Sequence, residues 1–374
     1  MKEGWEYKTL GEICDLYQPK TISTKEMVSD GLYDVFGANG KIGKYHSYNH
    51  EHSEILMTCR GATCGNINIS TPKSWINGNA MVVHIKDEGM LDRQFLVYSL
   101  IHIDKAHIIT GAAQPQITRQ TLSPLQVCFP SLSEQQSIVD YLDSAFAKID
   151  AMKANAEKAL HEAKALFQAS LKEMLEPKEG WEEKALKDFA TDMYRGSGVK
   201  RDQVTEEGMS CVRYGEIYTK YDYHFNECDS HTLEEYVSSP KYFEHGDILF
   251  AITGESVEEI GKSIAYTGKE KCIAGGDIVV MKHNYEPRYI SYALSTPSAI
   301  KQKGRGKTKL KVVHTNIPSL KEIIIPIAPE DEQIKIADTL DSLKSKVDRL
   351  QENYIKISQE CDALKQAILR QVFE

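Results

Sequence analysis

The sequence lacks any run of about 18 apolar residues, so no segment reads as a membrane span. Its first residues, MKEGWEYKTL, hold no apolar core, so they do not read as a signal peptide. Among 8 cysteines there is no Cys-x-x-Cys pair. Ungrouped cysteines argue against a zinc site, and a disulfide scaffold belongs to shorter, secreted chains. The thiols are expected to be reduced packing residues of a cytoplasmic protein, with no metal bound. The 12 histidines form no His-Glu-x-x-His pair, and no serine or cysteine stands in a nucleophile context. Gly261-Lys262-Ser263 looks like the end of a phosphate-binding loop, but that loop needs glycine where Ser256 stands. Nor is positive charge in excess: 45 Lys and Arg face 54 Asp and Glu, a net charge of −9. That balance weighs against a nucleic-acid binder, whose footprint is basic.

What the 374 residues do contain is a repeat. Gly4-Trp5-Glu6 returns as Gly180-Trp181-Glu182. Lys8, Leu10 and Glu12 return as Lys184, Leu186 and Asp188. At a second, common offset Glu134-Gln135 returns as Glu332-Gln333, Leu142-Asp143-Ser144 as Leu340-Asp341-Ser342, and Lys148-Ile149-Asp150 as Lys346-Val347-Asp348. The chain is therefore a tandem duplication, each copy a variable block followed by a helical block. Ile55-Leu56-Met57 before Gly61 matches Ile248-Leu249-Phe250 before Gly254. Ile76-Asn77-Gly78 with Val82-Val83 matches Ile273-Ala274-Gly275 with Val279-Val280. Such β-branched runs punctuated by glycine predict strands and turns. Tyr98 and Leu100 return as Tyr292 and Leu294 in one short helix per block. Trp5 and Trp181 read as packing anchors at the block entries.

The helical blocks carry heptad seams, with steps of four and three. The first runs through Ile138, Leu142, Ala145, Ile149, Met152, Ala156, Ala159, Ala163 and Leu166. The second runs through Ile336, Leu340, Leu343, Val347, Leu350, Tyr354, Ile357, Cys361, Leu364 and Ile368. Each helix should be roughly 60 Å long at 1.5 Å per residue. Ser131 and Glu134 have capping-box spacing, and Pro329 with Glu330, Asp331 and Glu332 suits a helix start. The small residues Ala156, Ala159 and Ala163 stand where the second seam has Tyr354, Ile357 and Cys361. Large against small favours the two helices packing on each other; independent helices and an intermolecular coiled coil are the alternatives. An antiparallel pair would set two related domains on one rod. Two readers at fixed spacing suit a target with two half-sites, which on B-DNA recur about every 34 Å.

This order resembles the DNA-specificity subunit of type I restriction-modification systems, over nearly the whole chain. The markers are Gly4-Trp5 with Leu10-Gly11-Glu12, and Phe129-Pro130-Ser131-Leu132-Ser133-Glu134-Gln135. Others are Phe36-Gly37-Ala38-Asn39-Gly40-Lys41-Ile42-Gly43, Gln114-Pro115-Gln116-Ile117, Val212-Arg213-Tyr214-Gly215-Glu216-Ile217 and Gly246-Asp247-Ile248-Leu249. The second block departs from the pattern, with Gly304-Arg305-Gly306-Lys307-Thr308-Lys309-Leu310 in place of a Gln-Pro-Gln element. The resemblance implies an α+β fold. Two related mixed α/β target-recognition domains (1–130 and 177–328) are joined by two long helices (131–176 and 329–374). The helices form an antiparallel coiled coil, with a pseudo-two-fold internal repeat.

The resemblance also implies a non-catalytic chain that reads a bipartite, asymmetric site in double-stranded DNA. It implies two modification subunits that use S-adenosylmethionine to methylate adenine. It implies two restriction subunits that use ATP and Mg as well. No cofactor is expected on this chain, and it has no Asn-Pro-Pro-Tyr or Asp-Pro-Pro-Tyr tetrapeptide. The competing reading is a non-DNA adaptor or scaffold on a coiled-coil rod.

Candidate DNA contacts follow from residue type and position. Lys301, Lys303, Arg305, Lys307, Lys309 and Lys311 form the densest basic run, interleaved with glycines that allow close approach to phosphates. Arg60, after a strand and beside Gly61, suits a guanine edge; a structural salt bridge is the alternative. Asn39, Lys41, Lys44, Tyr45 and His46 form a polar-aromatic loop. Thr253, Glu255, Ser256 and Lys262 occupy the equivalent loop in the second block. Arg213 and Tyr214 follow a predicted strand, and Gln116 and Arg119 are further candidates. Counted by block, the acidity moves away from these residues. Residues 16–122 hold about 10 bases against 9 acids and 191–320 about 17 against 18, so the excess lies in the helices and joins.

Overall fold

The computed structural model describes residues 4–111, 114–306 and 312–374. Its contacts define two units, Met1–Glu157 with Tyr354–Glu374, and Lys158–Asn353. The long helices Leu132–Met174 and Glu330–Phe373 each contribute one portion to each unit.

In the first unit the central sheet has the strand order Cys14–Tyr17, Ala80–Ile85, Ile55–Thr58, Ile67–Ile69, all antiparallel. Both central strands are buried on two faces, which is why they read as continuous apolar runs. Ile55, Met57, Met81 and Val83 point into a core shared with Phe95, Leu96 and Leu100 of the helix Arg93–His102. The alternate residues Leu56, Ala80 and Val82 pack with Phe36 and Ile76 on the other face. A three-stranded sheet, Gly40–Tyr45, Tyr33–Gly37, Trp75–Ile76, covers that side. The strand Glu6–Thr9 pairs with Gln126–Phe129, bringing the block's entry and exit together.

The second unit repeats the four-strand order as Asp192–Arg195, Ile278–Lys282, Ile248–Ala251, Ser263–Tyr266, and adds His224–Phe225 at the edge. Its second sheet is enlarged to five strands, Val204–Thr205, Ser230–Thr232, Met209–Val212, Cys272–Ala274 and Tyr242–Phe243. Here the entry strand Glu182–Ala185 pairs with Ile324–Ile327. The helix Pro287–Leu294 takes the place of Arg93–His102.

The repeated residues lock each block to its helix. Gln135 is fully buried: its Oε1 accepts from Asp92 N at 2.8 Å, and its Nε2 donates to the carbonyls of Met90 and Pro130, both at 2.9 Å. Gln333 does the same, accepting from Glu286 N at 3.1 Å and donating to Ala328 O at 2.7 Å. Asp92 and Glu286 are the N-caps of the two domain helices, so one buried amide ties two helix starts together in each unit. The Tyr98 hydroxyl bonds Asp143, and that of Tyr292 bonds Asp341 at 2.6 Å. Burial alone would raise the Asp341 carboxyl, but hydrogen bonds from His224, Tyr292 and Arg288 hold it down at about 2. Trp5 rests on Phe95 and Phe373, and Trp181 on Tyr289, so both act as packing anchors.

Within the first unit the long helices run antiparallel. Asp150 pairs with Lys365 at 2.6 Å and Lys153 with Asp362 at 3.3 Å, one number rising as the other falls. The expected seam is corrected on one side. Leu142, Ile149, Leu340, Val347 and Cys361 are buried, and Ile138, Leu343, Tyr354 and Ile357 half-buried. Met152 (59% exposed), Leu350 and Leu364 (48%) face solvent, as do Ala159 and Leu166. On the first helix the second column lies four residues beyond the Leu142-type positions rather than three, at Phe146, Leu160 and Phe167. On the second helix both sides contribute, Leu343 and Ile357 at three and Lys344 and Lys365 at four. Positions i+3 and i+4 flank the same stripe. The large aromatic side chains and the alkyl stems of lysine fill it, as where Lys365 lies 5.3 Å over the Phe146 ring.

Candidate nucleic-acid interface

In the first unit the chain leaves the central strand at Thr58 and turns back at once. Thr58 N donates to Asn66 O at 2.8 Å and Gly65 N to Thr58 O at 2.9 Å. Gly61, at φ +88°, makes a turn that a side chain would oppose. The segment after Thr110 then pairs with this loop. Ile117 N donates to Cys59 O at 2.9 Å, Gly61 N to Pro115 O at 3.0 Å, and Arg60 and Gln116 form an antiparallel bridge. Cys59 and Ile117 are buried beneath it, while Arg60 is exposed and makes no ion pair among the described residues. Arg60 and Gln116, widely separated in sequence, thus become neighbours on a backbone-bridged edge.

The second unit builds the same edge from unrelated residues. Ala251 N donates to Lys262 O at 2.9 Å and Gly261 N to Ala251 O at 3.0 Å. Thr315 N donates to Ile252 O at 3.0 Å, and Thr253–Gly254 pairs with Val313–His314, with Thr253 opposite His314. Thr253 therefore stands where Arg60 stands, and His314 where Gln116 stands. The Thr253 hydroxyl lies 3.1 Å from His314 Nδ1. The missing Gln-Pro-Gln element of the second block is replaced structurally by Val312-Val313-His314.

Beside each edge is a cavity. That of the first unit, about 650 Å³, is lined by Asn39, Thr63, Asn66, Asn68, Lys105 and Gln366, with no carboxylate. That of the second unit, about 260 Å³, includes Gln168, Asp222, Glu258, Glu259, Lys262 and Lys303 in its lining. The repeat keeps the glutamine and the lysine and changes the charge around them. Lys105 and Lys303 lie under Gly65 and Gly261, close to where a Cβ on either glycine would be.

Several expected contacts are corrected. Lys303 is 5% exposed, donates to Ser263 Oγ at 2.9 Å, and is pushed down to about 7 by burial. It ends a helix, Pro297–Lys303, one turn after the buried Ala299, which turns it inward. Lys262 is half-buried and donates to Tyr221 O at 2.7 Å. The Arg213 side chain folds over Glu216 at 3.6 Å with its Nε buried, leaving the exposed Tyr214 as the accessible member of that pair. Ser256 is held by Glu259, while Glu255 is exposed. Lys41 pairs with Asp34 at 2.7 Å, and Asn39 accepts from Thr58 at 3.1 Å. Tyr45 packs on Trp75; Lys44, His46, Arg119, Lys301 and Arg305 are exposed. Lys307, Lys309 and Lys311 lie outside the described residues. Among the described residues no group of His, Cys, Asp or Glu is arranged to hold a metal, and no helix is long and apolar enough to cross a membrane.

A sequence profile of the type I restriction modification DNA specificity domain matches residues 2–161 and again 178–359. The chain belongs to that family. The specificity chain is 24% identical over 351 residues to a putative type I restriction enzyme specificity subunit from Haemophilus influenzae, covering 91% of itself and 88% of that protein. It is 25% identical over 143 residues to a putative type I specificity subunit from Mycoplasma pneumoniae, covering 37% of itself and 46% of that protein. With the EcoprrI specificity subunit of Escherichia coli it shares 26% identity over 140 residues, 36% of itself and 34% of that protein. It thus spans less than half the length of those two relatives. A chain from a structure of assembly and conformational transition in the type I R-M system has the same fold. The TM-score is 0.71 at 17% identity, over 100% of this chain and 98% of that one. The HsdS subunit of Thermoanaerobacter tengcongensis gives a TM-score of 0.53 at 17% identity, over 100% and 97%.

In this specificity chain the site residues that sequence reasoning passed over are His314, Asn66 and Asn68. His314 had a signal: Cys59-Arg60-Gly61 and Ile252-Thr253-Gly254 follow matching strands, so whatever pairs with one should have a counterpart for the other.

Proposed function

We propose that this chain reads DNA for a type I restriction-modification complex, each variable block recognising one half of a two-part, asymmetric site. It carries no reaction itself. It recruits two modification subunits, which bring S-adenosylmethionine to adenine, and two restriction subunits, which bring ATP and Mg. The observation that carries this reading is the duplicated edge, the same backbone bridge presenting Arg60 with Gln116 in one unit and Thr253 with His314 in the other. A shared scaffold with different exposed chemistry suits two unlike half-sites. Gln135 and Gln333 fix each block to the start of a long helix.

The test is a gel shift of the purified chain with its modification partner on duplex DNA from its host. Retardation that survives excess non-cognate duplex is expected. Absence of any shift, with the partner still bound, would replace this reading with that of a protein adaptor.

A further inference from the structure

We propose that the two bridged edges are the base-reading platforms, Arg60 and Gln116 in one half-site and Thr253 and His314 in the other. We further infer that the first half-site carries a guanine beneath Arg60. This rests on the DNA-recognition reading above and adds to it which residues read and what one of them reads.

Three observations carry it. First, the support is conserved while the surface is not. The Ile117–Cys59 and Thr315–Ile252 backbone bonds are equivalent, and all four residues are buried. Between them, the facing pair changes from guanidinium and carboxamide to hydroxyl and imidazole, with Arg60 and His314 exposed and Gln116 and Thr253 half-buried. Second, each edge is a short antiparallel pairing of two segments, an isolated bridge in the first unit and two residues a side in the second, and the major groove admits two paired extended segments. Third, the side chains have the chemistry of base edges. Arg60 is exposed and meets no carboxylate among the described residues, so its donor fork is available to the O6 and N7 of guanine. Gln116 beside it offers the paired donor and acceptor that fit adenine. In the second unit the 3.1 Å contact to Thr253 engages His314 Nδ1. That leaves the exposed ring's Nε2 without a partner among the described residues, one contact in place of a fork. The second half-site therefore meets no bidentate guanidinium fork at the equivalent position.

The experiment maps methylated sites in cells carrying the full-length chain with its natural partners, as wild type, Arg60→Ala, Arg60→Lys or His314→Ala. The wild type should give a two-part motif with a guanine in one half. Both Arg60 variants should relax that position by about 5- to 150-fold, leaving the other half unchanged. His314→Ala should relax a position in the other half alone. Where a variant methylates too little to map, the purified complex selects from randomised duplexes. Loss of the guanine preference there supports the proposal, and its retention overturns it. The wild-type motif from the Arg60 variants or from His314→Ala overturns it too, as does a uniform loss of binding with a flattened salt dependence, the mark of a phosphate contact. A methylome indifferent to removal of the wild-type gene would instead refute the DNA-recognition reading itself.

Discussion

At the residue scale, the duplicated glutamines are the joints of the structure. Replacing Gln135 with leucine leaves Asp92 N–H and two carbonyls unpaired in a buried place. The expected loss is about 2–3 kcal/mol in urea titration; loss under 0.5 kcal/mol would contradict the role assigned to this amide. Lys303 makes a second case. The unfolded chain holds its proton up to the ordinary 10.5, the folded chain only to about 7. The unfolded state therefore binds more protons across that window, and stability should rise with pH between about 7 and 10.5. Lys303→Met, which removes the buried ammonium, should flatten that rise when urea midpoints are compared at pH 7 and pH 9. Glu-Gln was legible as a repeat, but its function was not, because a buried amide and a surface one look alike in sequence. Lys303 was misread for a related reason: every second residue from Lys301 to Lys311 is basic, while a helix buries by threes and fours.

At the element scale, the long helices were legible from their uninterrupted periodicity and the strands from their β-branched runs. The side of the stripe was not, because i+3 and i+4 both satisfy a heptad and only packing chooses. Neighbouring residues separate the alternatives. Phe167 is buried against Tyr223 and Tyr292, with ring centroids 5.5 and 6.5 Å away, whereas Leu166 is 61% exposed. Phe167→Ala should cost about 3–5 kcal/mol and Leu166→Ala less than about 0.5 kcal/mol. Thermal and urea denaturation of the two variants would show the reverse order if the expected seam were right. The loop edges escaped sequence reading because Arg60 and Gln116 meet only through a backbone bridge between distant segments, and bridges carry no side-chain signature.

At the scale of the whole molecule, the net charge of −9 remains the feature that most opposes DNA binding. The variable blocks are near neutral, so this chain alone should bind duplex weakly and in a salt-dependent way. Changing the exposed Lys301 and Arg305 to glutamine should lower the slope of log affinity against log salt by about 1.8, if each meets one phosphate. An unchanged slope would remove that surface from the interface. The central claim is that each variable block reads its own half-site. It is tested most directly by exchanging residues 16–122 for the corresponding block of another family member and sequencing the methylated adenines of the host. One half of the recognised motif should change and the other stay. A motif changed in both halves, or in neither, would contradict it.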